Sequence, residues 1–249
     1  MVDAVITHST AEAAYLAKAA TGAQVHVVPW AAVPQARAVA WAARHGIAFI
    51  GGYRHAPNPD AARCLAETIM PLVWQTLPDV PLLIVGDEWP ATLPWAADRR
   101  IRMIGQIGRL TDLFDVVRLT VAPLRFGAGL KGKVLDSFAA GIPCVMSPVA
   151  AEGMPLCPTL QALVGEDAVA IAAQIVRLHS DAGAAIACRD AGLSMVETVF
   201  SADAVAQALD PALGPKRARS ARRKADAGRS PKSRGAGKAA GKRHSVPGH

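Results

Sequence analysis

Short apolar runs closed by glycine or proline recur along this chain, and a stretch with helical spacing separates most of them. Ile47-Ala48-Phe49-Ile50 runs into Gly51-Gly52, Leu82–Val85 into Gly86, Ile101–Ile104 into Gly105, and Arg118–Ala122 into Pro123. Parallel strands need a long return path, which a helix supplies, so the alternation predicts β-α-β units and a parallel sheet. The expected fold class is α/β with a doubly wound sheet, an architecture that binds ligands at the carboxyl ends of its strands.

Val2–Thr7 and Val25–Val28 read as two further strands around a helix running to about Ala20. Ser9 and Glu12 have the spacing of a capping box at its start. A helix is expected from Asp60 to Leu77, bent or broken at Pro71, whose ring clashes with the preceding turn. Lys131–Ala140 reads as a helix stopped by Gly141, with Ile142–Met146 as the strand after it and Gln161–Val164 as another strand. Helices follow at about 167–179, 182–199 and 202–209. No internal repeat recurs at a fixed period.

Apolar residues make up 51% of the 249 positions, enough to bury a sizeable core, and this excludes a wholly disordered chain. Aromatics are only 5%, so Ala, Val, Leu and Ile must build that core. The net charge of +7 is unevenly spread: residues 215–249 hold 12 Lys and Arg against the single acid Asp226. The remainder is therefore mildly acidic, and the chain as a whole is not a basic nucleic-acid binder. Residues 214–249 have almost nothing to bury and are expected to form a disordered basic tail. Such a tail can contact an anionic surface, at about 1 kcal/mol per basic residue near a membrane, or remain solvated without a specific partner. A scaffold that binds nucleic acid through this tail is a third option. Cys64, Cys144, Cys157 and Cys188 lie far apart with no metal-ligand spacing, and read as reduced core residues of a cytoplasmic protein. No signal peptide or membrane span is evident, leaving contact at the inner membrane surface to the tail.

The most informative stretch is Ala122 to Pro143. A strand ends at Ala122, a loop carries Gly127 and Gly129, and a helix begins near Lys131. Glycines let backbone N–H groups approach a ligand, and a helix N-terminus presents unpaired donors. Lys131 and Lys133 add positive charge there, which suits a mono- or diphosphate. Asp136 follows within a turn or two and can accept hydrogen bonds from two vicinal hydroxyls, as on a ribose. An isolated G-x-G is more often only a tight turn; Gly, Lys and Asp in this order at a strand-to-helix junction favour the binding role.

Five motifs now fall in order: Ile50 to Ala61, Leu83 to Gly86, Ile104 to Gly108, Ala122 to Lys133, and Ala151 to Met154. Over about residues 47–209 they resemble the carboxy-terminal half of the GT-B glycosyltransferases related to glycosyl transferase group 1 (family 4). The resemblance implies a Rossmann-like donor-binding domain over 47–213, preceded in 1–46 by a remnant of the amino-terminal GT-B domain plus linker. It implies a nucleoside diphosphate sugar donor, a carbohydrate or lipid-linked acceptor, and retaining transfer with no metal and no cofactor. Carried over by position, Arg54 matches a basic residue for the diphosphate and Gly52 the small residue beside it. Gly105, Gln106 and Ile107 match the loop flanking the base. Asp136 matches the second acid of a spaced acidic pair that holds the ribose, and Glu152 and Gly153 match a loop near the sugar. The first acid of that pair falls on Ala128, and Asp136 is one methylene shorter than the usual Glu. Acceptor binding belongs to the family's amino-terminal domain, so the alternative is a non-catalytic nucleotide-sugar-binding remnant acting through a partner chain.

His8 and His55 read as surface or hinge residues, Asp87-Glu88 as a solvated turn, and the five tryptophans as packing residues.

Overall fold

The computed structural model describes residues 4–19 and 22–213; the basic segment from 214 onward lies outside the described residues. Strand β1 (Ala4–Thr7), helix α1 (Thr10–Ala19) and strand β2 (Gln24–Val27) form a small parallel β-α-β unit at the amino end. The main sheet has five parallel strands: β3 (Gly46–Ile50), β4 (Leu82–Val85), β5 (Ile101–Gly105), β6 (Val117–Ala122) and β7 (Cys144–Met146). Their spatial order is β5-β4-β3-β6-β7. The chain thus winds outward from β3 in one direction, then crosses back to β6 and winds in the other, as the alternating pattern requires of a doubly wound sheet.

Period-two alternation puts successive side chains on opposite faces. Ile47, Phe49, Leu82 and Ile84 enter one apolar layer, and Ala48, Leu83 and Val85 the other. The first layer is closed by α2 (Pro57–Cys64), α3 (Met70–Val73), α5 (Gly132–Ala139), α8 (Ala168–Ser180) and α9 (Ala182–Val199). The second is smaller and packs on α4 (Leu110–Phe114). The short helices α6 (Pro148–Ala151) and α7 (Pro158–Gln161) and the last described helix α10 (Ala202–Leu213) complete the elements.

Several sequence expectations are corrected. The helix expected from Asp60 begins at Pro57, where proline's fixed φ suits the first turn and its missing N–H costs nothing. Pro71 does not break it, because a π-turn over Leu65–Ile69 precedes the ring and Met70 N–H bonds the Leu65 carbonyl. The wider turn accommodates the lost i−4 bond, and Trp74 N–H resumes the α pattern to Met70 O at 2.8 Å. The strand expected at Gln161–Val164 is instead the end of α7 and a turn; only Val164 makes a single parallel bridge, to Met146. Cys157 is exposed, whereas Cys144 and Cys188 are buried and Cys64 is half-buried; none is disulfide-bonded.

The segment after β2 is strapped to the main domain by backbone bonds. Ala32 N–H reaches Phe200 O at 2.7 Å, Gln35 N–H reaches Ala139 O at 2.7 Å, and Arg37 N–H reaches Ala140 O at 3.2 Å. This path brings Trp30 against the start of α5, where a Cβ on Gly132 would stand 3.2 Å from the indole.

Candidate functional site

The carboxyl ends of β3 and β6 flank the point where the strand order reverses. A cleft of about 430 Å³ opens there, lined from one side by His55, Pro57 and Asn58 and from the other by Leu124 and the loop 127–133. His8, Glu12 and Trp30 from the amino-terminal segment close its third wall.

Asn58 organises the β3 side. It is buried, and its Nδ2 donates to the Gly52 carbonyl at 2.8 Å. Gly51 passes so close that an added Cβ would lie 2.6 Å from the Asn58 amide carbon, so only glycine fits. From the β6 side, Lys133 Nζ donates to Asn58 Oδ1 at 2.6 Å and sits 4.6 Å from the centroid of the Phe49 ring. Burial, with a smaller contribution from Lys131, lowers the Lys133 ammonium to about 8. Lys131 is buried as well; its Nζ donates to Gly129 O at 2.5 Å and lies 3.6 Å from Glu152 Oε2. Gly127 and Gly129 adopt φ of 134° and 75°, a region that disfavours side-chain-bearing residues, and so turn the loop sharply above α5.

The residues singled out from the sequence divide into three groups. Gly127, Gly129, Lys131 and Lys133 line the cleft, and Gly52 lies behind Asn58. Glu152 lines an adjoining groove with His8, Glu12, Ala128 and Gly129, and Gly153 packs beside Ser9. The others stand apart from the cleft. Arg54 is exposed and ion-paired to Glu88, which itself adopts a φ of 58°. Gly105 ends the outer strand β5, and Gln106 and Ile107 follow it. Asp136 faces a second groove with Trp30, Leu110 and Thr111, where the surrounding protein raises its carboxyl above the ordinary value.

Sequence reading missed the third wall. The sequence pattern gives Glu12 only a helix-capping role, yet its Oε1 stands 2.8 Å from where a Cβ on Gly129 would be. Thr7 Oγ1 donates to its Oε2 at 2.5 Å. His8 Nδ1 lies 2.8 Å from Val28 O, and its ring packs edge-on to Trp30 at 5.5 Å. The short spacing between Ser9 and Glu12 was the available signal, but nothing local says that this turn meets a loop some 120 residues later. Asp87, expected from the sequence as a solvated turn residue, packs its carboxylate where a Cβ on Gly52 would stand. Among the described residues, no group of three or more His, Cys, Asp or Glu could hold a metal ion, and no helix is long and apolar enough to cross a membrane.

Residues 44–181 match the family described as glycosyl transferases group 1. No curated protein matches the chain in sequence. Among solved structures, the chain is similar to sucrose-phosphate synthase from Thermosynechococcus elongatus at 23% identity and TM-score 0.65, covering 82% of this chain and 56% of that one. It is also similar to Anabaena HepE in complex with UDP and glucose, at 12% identity and TM-score 0.67, covering 85% and 62%. S. aureus TarM in complex with Fondaparinux, alpha-GlcNAc-glycerol and UDP matches at 11% identity and TM-score 0.70, covering 86% and 44%. The chain thus spans about half the length of the solved structures it matches. The shared fold is that of the carboxy-terminal half of GT-B glycosyltransferases.

Proposed function

We propose, because this chain belongs to the glycosyl transferases group 1 family, that its cleft binds a nucleoside diphosphate sugar and that the sugar is passed to a carbohydrate or lipid-linked acceptor. The observation that carries this reading is the junction after β6, where a glycine loop, Lys131, Lys133 and the start of α5 converge on one cleft. In the transfer, the bond from the anomeric carbon to the diphosphate oxygen breaks, and an acceptor hydroxyl oxygen takes its place. Charge develops on the departing diphosphate. Two ammonium groups and the N-terminal amides of α5 are arranged to stabilise it, which supports transfer without a metal. Retention of anomeric configuration is the outcome expected of the family.

Glu12 supplies a carboxylate beside Ala128, where the family's first acid is absent, and so stands in for a sugar-facing group. Asp136 and the loop Gly105–Ile107 belong to the nucleoside end, reached over the groove beside Trp30. The bound UDP of HepE and TarM supports a diphosphate nucleotide as the donor class. We assign residues 47–213 to donor binding and 1–46 to the amino-terminal side of the fold and the linker, with a partner chain as one source of acceptor contacts. A non-catalytic nucleotide-sugar-binding role is the second reading. Calorimetric titration with UDP, GDP and ADP tests the cleft: millimolar-or-tighter binding of one of them, weakened roughly 10- to 150-fold by Lys131→Ala, is expected. Absence of binding to folded protein would reject the assignment.

A further inference from the structure

A second cavity, of about 310 Å³, opens at the other end of the sheet, beneath the amino ends of β3, β6 and β7. Four arginines line it: Arg37, Arg44, Arg118 and Arg189. Arg118 is engaged in the fold; its Nε donates to Arg44 O at 2.7 Å, its Nη1 to His179 O at 2.6 Å, and its guanidinium stacks 3.9 Å over Trp41. Arg37 is held by Asp115 through two hydrogen bonds of 2.8 and 2.6 Å. Among the described residues Arg189 pairs only with its neighbour Asp190, and its stem lies over Gly141. Arg44 differs from all three. It is 5% exposed, its Nη2 donates to the Val39 carbonyl at 2.5 Å, and its Nε–H has no acceptor.

Four guanidinium groups therefore meet two carboxylates, and one buried donor is orphaned. A buried N–H without an acceptor is destabilising, and a buried charge is tolerated only when it is paired. The cations also repel one another: burial is the main cause lowering the Arg44 guanidinium, Asp115 opposes it, and Arg37 and Arg189 add to it. The basic carboxyl-terminal segment has the wrong sign to relieve this excess.

We propose that this cavity binds a small organic phosphate monoester, whose dianionic group offsets the two guanidinium charges left without a carboxylate, on Arg44 and Arg118, and supplies the acceptor that the buried Arg44 Nε lacks, with the half-exposed Arg189 at the rim within reach of the same group. Guanidinium forks match phosphate oxygens in geometry. The cavity is larger than a phosphate group alone requires, and Ile186 and Pro143 offer an apolar wall for the organic part. The site lies at the opposite end of the sheet from the cleft after β6, so it is a separate binding event.

Calorimetric titration of the full chain with phenyl phosphate, and with inorganic phosphate for comparison, tests this. The wild-type chain, Lys131→Met, and Lys131→Met combined with Arg189→Glu are compared. Lys131→Met weakens phosphate affinity in the cleft only, so it should retain a binding event that the double variant weakens by roughly tenfold or more. Arg189→Lys in place of Arg189→Glu should restore most of it. Arg189 is 41% exposed, so its replacement leaves the core intact. Should Lys131→Met fail to fold, wild type against Arg189→Glu alone gives the readout as one binding event fewer. Equal affinity with and without the Arg189→Glu change, or no phenyl phosphate binding by the folded Lys131→Met chain, would overturn the proposal.

Discussion

Lys133 Nζ donates to Asn58 Oδ1 at 2.6 Å, joining the helix that follows β6 to the helix that follows β3. The contact crosses the point where the sheet reverses direction. Asn58 passes it on to the Gly52 carbonyl, so one buried amide holds both sides of the cleft. Replacing Asn58 by Ala strands a half-buried ammonium and a backbone carbonyl together. The expected cost is about 1–3 kcal/mol, read as a lower urea midpoint with an unchanged slope. A variant as stable as the parent would show that the amide is not shared in solution.

The same lysine gives the cleft a pH dependence. Its ammonium titrates near 8 in the fold and near 10.5 when unperturbed. A diphosphate prefers the charged form, so affinity for UDP is level in this group below pH 8 and falls above it, by at most about tenfold per unit. Stability moves the other way. Between pH 8 and 10.5 the unfolded chain binds more protons at this position than the folded chain, so this group's contribution to stability rises with pH across that window. Lys133→Met should flatten both profiles; a UDP affinity that still falls from pH 8 in that variant would reject the role.

Asp136 sits in the groove beside Trp30, with its carboxyl raised by the surrounding protein. If a ribose is its partner, Asp136→Ala should weaken UDP and leave inorganic pyrophosphate within about twofold, against the 10- to 150-fold expected for a charge-assisted contact. Equal losses for both ligands in a titration would keep the cleft and discard the ribose contact.

Glu12 stands against the loop at Gly129 and pairs with neither lysine among the described residues. Glu12→Gln is therefore expected to leave UDP affinity nearly unchanged and to reduce the extra affinity that a UDP-sugar shows over UDP. A competition titration reads the difference directly. A parallel loss for UDP would move Glu12 from the sugar to the phosphates.

The sheet was largely legible in the amino-acid order, because its central strands are buried on both faces and read as unbroken apolar runs such as Leu82–Val85. Gln161–Val164 is not a strand, since four residues of mixed polarity carry too little period to separate strand from turn. Pro71 misled in the opposite sense: a proline signals a helix break, but a π-turn one step earlier leaves no local trace in residue types. At the cleft, Gly127 to Lys133 were visible as a contiguous motif. Glu12, His8 and Trp30 were not, because their place depends on how Ala32 to Arg37 strap the amino-terminal unit across α5. Arg44 was equally hidden, its burial depending on packing from three distant segments.

Strand β3 lies between β4 and β6. Its β4 side can be covered by the next strand made, but the partner on its other side is Val117–Ala122, nearly seventy residues further along the chain. At about 5–20 residues per second of synthesis, the apolar edge Gly46–Ile50 waits for several seconds before that partner emerges. During that interval it is an unpaired strand edge of the kind that templates association between chains. Production of this protein should therefore be sensitive to translation rate and to chaperone supply between these two strands, however stable the finished sheet is.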